Sequence, residues 1–245
     1  MIRNKLLFYD FETGSKNKYK TQPIQIAAVV IDLRALDIVE DSLFVSTIKP
    51  ELDDEKATTL GLDPIQDDAL KVNGFTREEL EKAPDCKLVW SNFLDYTKRF
   101  NLKGNNGSKW DSVALSGFNN SNFDDYILAR LCEKYGPKLD EYGGWTCFHP
   151  FVNIDLHMLI QGWFHSIQLN DSGSMSMDAL RDFFGIDKTN AHRADIDVIS
   201  GALLLIKFFK LQKLIVSGQF KGGKIKFQNC FDLENKKMKE LLQIK

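Results

Sequence analysis

Apolar residues gather early in the chain into short runs. Residues 5–12 (KLLFYDFE), 24–33 (IQIAAVVIDL) and 43–49 (LFVSTIK) are rich in aliphatic, β-branched and aromatic side chains, with polar, turn-forming pieces between them. They predict three consecutive strands paired as antiparallel neighbours. The pattern then turns helical. Thr76-Arg77-Glu78-Glu79 has the spacing of a capping box, and residues 87–100 place Leu88, Trp90, Phe93, Leu94, Tyr96 and Phe100 at mixed helical spacing. After the polar loop 103–108 come a strand at Val113–Phe118, a helix at Phe123–Tyr135 and a strand near Val152–Ile154. Helices near 156–166, 176–184 and 194–214 complete the series. Strands followed by alternating helices and strands, without repeats, predict an α/β fold: a mixed sheet with antiparallel first strands, flanked by helices.

The end of the chain differs in character. Phe220–Phe227 alternates around Gly222-Gly223, a hairpin signal, and Leu233–Ile244 reads as a Lys-rich amphipathic helix. This divides the chain into a domain over 1–214 and a basic hairpin–helix appendix over 215–245. Charge sharpens the division. The 245 residues carry a formal charge of −2, yet residues 207–245 hold ten Lys against three acids, so the tail is cationic and the body acidic. A basic tail on an acidic body suggests a polyanion such as nucleic acid as partner.

Composition excludes several classes. At 43% hydrophobic and 27% charged the chain reads as an ordinary globular protein. Its cysteines (Cys86, Cys132, Cys147, Cys230) are scattered without a C-x-x-C pair, which argues against a zinc ribbon or disulfide scaffold and for a reducing, cytoplasmic compartment. Cys147, His149, His157 and His165 follow no zinc spacing, and Gly104–Gly107 lacks the Lys-Ser/Thr of a phosphate loop. No apolar stretch reaches the roughly 18 residues of a membrane helix, so no membrane association is expected.

Carboxylates carry the chemistry. Asp10 and Glu12 are two apart in a strand, so both side chains leave one face of the sheet, where they repel each other unless a cation intervenes. The plain alternative is a polar strand face meeting water. Asp124 opens the helix after the fourth strand and is equally readable as a helix N-cap. Asp197 lies five residues after His192, at the entry to the last long helix, where Asp195 and Asp197 also suit the helix dipole.

Taken together, Asp-x-Glu on the first strand, Asn120-x-x-x-Asp124 between strand and helix, and His192-x-x-x-x-Asp197 before the last helix resemble the three motifs of the DEDDh 3′→5′ exonuclease family. That family includes the proofreading epsilon subunit of DNA polymerase III and RNase T. Smaller matches are Gln25-Ile-Ala-Ala28, Lys71-Val-Asn-Gly-Phe-Thr76, Ser176-Met-Asp-Ala-Leu180 and Asp155. Departures concern the substrate side: Gly14 follows Thr13 directly, and Asn119 and Asn73 stand where histidines are common.

The resemblance implies a ribonuclease H-like fold and a pair of Mg²⁺ or Mn²⁺ ions held by Asp10, Glu12, Asp124 and Asp197. Hard oxygen ligands suit those ions. It assigns His192 as the base that takes a proton from the attacking water. Thr13, Gly14, Phe75 and Asn120 are the expected contacts to the terminal nucleotide, with Val72 beside Phe75, while Phe11 between the acids reads as core. The implied substrate is single-stranded or frayed DNA, in proofreading beside a DNA polymerase or alone. An exoribonuclease acting on RNA 3′ ends or short oligoribonucleotides is the enzymatic alternative. A nucleic-acid-binding polymerase-accessory module is the non-enzymatic one.

Overall fold

The computed structural model describes residues 4–102, 109–137, 147–150, 152–166, 174–186 and 194–216. His192 and the appendix from residue 217 onward lie outside the described residues, as do Trp145 and Cys230. Among the described residues a six-stranded sheet is built from β1 (Lys5–Thr13), β2 (Pro23–Asp32), β3 (Asp37–Ile38), β4 (Phe44–Thr47), β5 (Ala114–Gly117) and β6 (Asn153–Asp155). Its order is β3-β2-β1-β5-β6, with β4 also pairing β2. The pairs β1–β2, β2–β3 and β2–β4 are antiparallel, whereas β5 pairs parallel with both β1 and β6.

Between β4 and β5 come α1 (Asp54–Thr59), α2 (Asp67–Asn73), α3 (Arg77–Lys82) and α4 (Cys86–Lys98). The expected capping box starts α3, where Thr76 accepts from the Glu79 N–H and Glu79 accepts from the Thr76 N–H. α5 (Asp124–Tyr135) links β5 to β6, and α6 (Leu156–Ser166), α7 (Met177–Phe184) and α8 (Ala194–Val216) follow.

Strand alternation divides the core into two layers. Leu7, Tyr9 and Phe11 of β1 pack with Trp90 and Phe93 of α4 and Ile127 and Leu128 of α5. Leu6 and Phe8 point the other way, against Leu156 and Ile160 of α6, Leu180 of α7 and Val198, Ala202 and Leu205 of α8. A third, smaller cluster joins Ile24, Ile65, Leu70 and Leu80, with Phe75 packed on it. β2 is buried on both sides, which is why its sequence is continuously apolar rather than alternating.

One contact sets the spacing between the sheet and α8. At Gly201 of α8 a Cβ would stand 2.5 Å from the Phe8 ring, so only glycine lets α8 settle onto β1 at this depth. Asp197 lies one turn before Gly201, and Asp10 lies two residues beyond Phe8 on the same strand face. The close approach therefore brings the start of α8 over the acidic end of β1. Among the described residues no helix is long and apolar enough to cross a membrane.

Candidate active site

Asp10 and Glu12 continue the sheet face that begins with Leu6 and Phe8, and both are half-buried. Phe11, between them, turns to the opposite layer and is 5% exposed, as its core reading requires. Neither acid accepts a hydrogen bond from a described residue, so burial and like charge act on them almost unopposed. Burial, then Asp197, raises Asp10 to about 7, with the Arg181 guanidinium pulling back. Burial, then Asp10 and Asp197, raises Glu12 to about 9.

Asp124 enters from α5. The N-cap reading does not hold: Phe123 occupies the cap position, and no side chain makes a cap hydrogen bond. Instead the Phe11 N–H donates to Asp124 Oδ1 at 3.0 Å, tying the helix start to β1 between its two acids. Burial first, then the charge of Asp10, pushes the Asp124 carboxyl well above its ordinary range. Asp197 stands in the first turn of α8 as expected, but its Oδ1 is held by Arg181 Nη2. Asp10 thus feels Glu12, Asp124 and Asp197 at once, so β1, α5 and α8 bring the expected carboxylates together.

Their donor set fits hard divalent cations, since four carboxylates share one half-buried place and only one guanidinium among the described residues bonds any of them. Among the described residues no three such side chains are already closed into a metal-holding cluster. Arg181, which draws Asp197 toward α7, was not singled out in the sequence. Its signal was an arginine directly after Leu180, on a helix whose Leu180 and Phe184 are buried.

The expected substrate-side residues are themselves held by the fold. Both backbone groups of Gly14 are engaged: its N–H donates to Gln22 O at 2.9 Å and its carbonyl accepts from Gln66 N at 2.8 Å. It is a packing glycine, because a Cβ there would lie 2.3 Å from Ile65 Cδ1. The Thr13 carbonyl accepts from Asn73 Nδ2 at 3.1 Å, and its hydroxyl donates to Ser15 O. Phe75 folds onto the small third cluster, while neighbouring Val72 is 59% exposed.

Asn120 is wholly buried beneath the site, where Nδ2 donates to Asn153 Oδ1 at 2.8 Å and Asp125 Oδ1 at 3.2 Å. Asp125 also accepts from the Tyr9 hydroxyl and from Asn153 Nδ2. Burial, reinforced by Asp125 and Asp124, keeps Tyr9 protonated and therefore a donor. Asp155 supports the neighbouring turn, accepting from the backbone N–H groups of Asn119, Ser121, His157 and Met158. Asn119 takes a left-handed backbone with φ of 58°, a conformation asparagine tolerates.

Residues 7–111 match the family RNase_T, described as an exonuclease. No curated protein matches the chain. Among solved structures, E. coli Exonuclease I in complex with a dT13 oligonucleotide is similar at a TM-score of 0.65 and 20% identity, over 89% of this chain and 44% of that one. The zinc-bound form of the E. coli ExoI–ssDNA complex gives a TM-score of 0.66 and 19% identity, over 89% and 43%. A third structure, E. coli Exonuclease I with a dA16 oligonucleotide, gives 0.64 and 21%, over 87% and 43%. The chain thus spans less than half the length of these proteins. The resemblance to DEDDh exonucleases and the mixed, helix-flanked sheet expected from the sequence are both borne out.

Proposed function

We propose, from the premise of a DEDDh-type exonuclease domain, that this chain hydrolyses single-stranded or frayed DNA from its 3′ end, releasing nucleoside 5′-monophosphates with the help of two Mg²⁺ or Mn²⁺ ions. The observation that carries this reading is the convergence of Asp10, Glu12, Asp124 and Asp197 with so little protein compensation for their charge. DNA is favoured as substrate because the similar Exonuclease I structures hold dT13 and dA16.

Divalent cations bound there would lower the pKa of the attacking water and offset charge on the phosphate and the leaving 3′-oxygen. The protein's own part is to hold oxygen ligands from three independent elements. Asp10 and Glu12 supply them from one strand face, Asp124 from the start of α5 and Asp197 from the first turn of α8. The Phe11 N–H bond to Oδ1 fixes the direction of the Asp124 carboxylate. We assign His192, five residues before Asp197, to take the proton from the attacking water, because imidazole titrates near working pH.

Digestion of 5′-labelled DNA and RNA oligonucleotides in Mg²⁺, Mn²⁺ or EDTA tests the reading. A ladder of DNA products that keep the 5′ label, absent in EDTA, is the expected result. Label released first as a mononucleotide, or cleavage undiminished by EDTA, would overturn it. A ladder from RNA alone would establish the exoribonuclease in its place.

A further inference from the structure

Arg181 is 1% exposed, and its guanidinium lies between two carboxylates. Nη1 donates to Asp178 at 3.0 Å and Nη2 donates to Asp197, while Nε is buried without a partner. Burying a guanidinium with an unpaired N–H is costly, a cost that its ion pairs with Asp178 and Asp197 offset. The helix does not depend on this arginine for its placement. Ser176 caps the start of α7, Leu180 and Phe184 are in the core, and Lys207 of α8 donates Nζ to Phe184 O at 2.9 Å. α7 is therefore a firm mount that carries a permanent cation to the acids.

Asp197 Oδ1 is turned toward α7, and no three carboxylates close on a common point among the described residues. The guanidinium also acts on Asp10, so its charge reaches two of the four acids. Arginine keeps that charge at any working pH.

We propose that Arg181 is a positioning residue that holds Asp197 and offsets acid repulsion while the site is free of metal, and thereby weakens the site's affinity for divalent cations. This inference rests on reading the four acids as a divalent-cation site. Whatever Arg181 contributes to the empty site is subtracted from cation binding, which must displace or share its bond to Asp197. Asp178, with its side chain 45% exposed, holds the other arm and moderates the competition.

Mn²⁺ binding to the full chain without nucleic acid, followed by electron paramagnetic resonance and paired with melting in EDTA, tests this. Arg181→Met should bind Mn²⁺ roughly tenfold more tightly, since one nearby unit charge at the effective dielectric of such sites is worth at least that. It should also melt lower in EDTA and gain more on Mn²⁺ addition than the wild type. Asp178→Asn should shift affinity the other way, several-fold weaker, and should have no effect in the Arg181→Met background. Arg181→Met affinity equal to or weaker than wild type overturns the proposal. If that variant does not fold, unchanged Mn²⁺ affinity in Asp178→Asn overturns it instead. A wild-type chain that binds no Mn²⁺ overturns the reading of the site itself, and the inference with it.

Discussion

Two sets of carboxylates lie on adjoining elements and differ in what their oxygens touch. Asp155 accepts from four backbone N–H groups as well as the Ser121 hydroxyl, and Asp125 accepts from Tyr9, Asn120 and Asn153. Asp10 and Glu12 accept from no described residue, Asp124 accepts from Phe11 N, and Asp197 is held by Arg181. Asp124 and Asp125 are neighbours in sequence, yet one is saturated by hydrogen bonds and the other is not. A carboxylate placed for structure has its lone pairs filled by the fold, whereas one placed for chemistry is left short of partners and stays avid for a proton or a metal.

That contrast can be broken by replacing acids on each side of it. Asp10→Asn or Asp124→Asn should lower the cleavage rate by roughly 10³-fold or more, as removal of a charged metal ligand would. Their melting temperature in EDTA should hold or rise, because a neutral amide relieves repulsion. Loss of melting temperature with activity intact would make these acids structural.

Asp155→Ala should do the reverse. Stranding several donors costs about 1–3 kcal/mol, or several degrees of melting temperature, while cleavage at low temperature stays within about tenfold of wild type. A rate collapse without destabilisation would place Asp155 in the chemistry.

A further expected effect concerns pH. Asp10 at about 7 and Glu12 at about 9 hold protons in the folded chain that the unfolded chain releases near pH 4. Across that window the folded state binds more protons, so metal-free stability should fall as pH rises from 5 to 9. Melting in EDTA should show that decline, Mn²⁺ should flatten it, and Asp10→Asn combined with Glu12→Gln should remove most of it. A slope unchanged in the double variant would mean that these groups do not titrate in that range.

Most of the fold was legible because its elements are long or sharply patterned. The first two strands, the helix at 124–135 and the last helix stand within a few residues of where apolar runs placed them. α1 and α2 were not separately expected: at six and seven residues they have too few turns for a periodic signal. The acids were legible as a set because strand alternation and helix starts are local features. What escaped was long-range pairing. Nothing near Asp124 in sequence announces the Phe11 N–H, nothing near Thr13 announces Asn73, and Gly14 reads as an offered backbone until Gln22 and Gln66 are seen to occupy it. Arg181 passed unremarked because its partner lies sixteen residues away in sequence.

The contact of Gly201 with Phe8 makes the separation of α8 from the acidic end of β1 a matter of two uncharged side chains. A methyl group at position 201 would lift the first turn of α8 off the sheet and carry Asp197 away from Asp10, although every acid remained in place. Trimming the ring at position 8 would make room for that methyl group again. The two positions therefore behave as one variable: substitutions that each disturb the approach of α8 to β1 can together restore it, and chains with this architecture are free to drift along that compensated line without changing their chemistry.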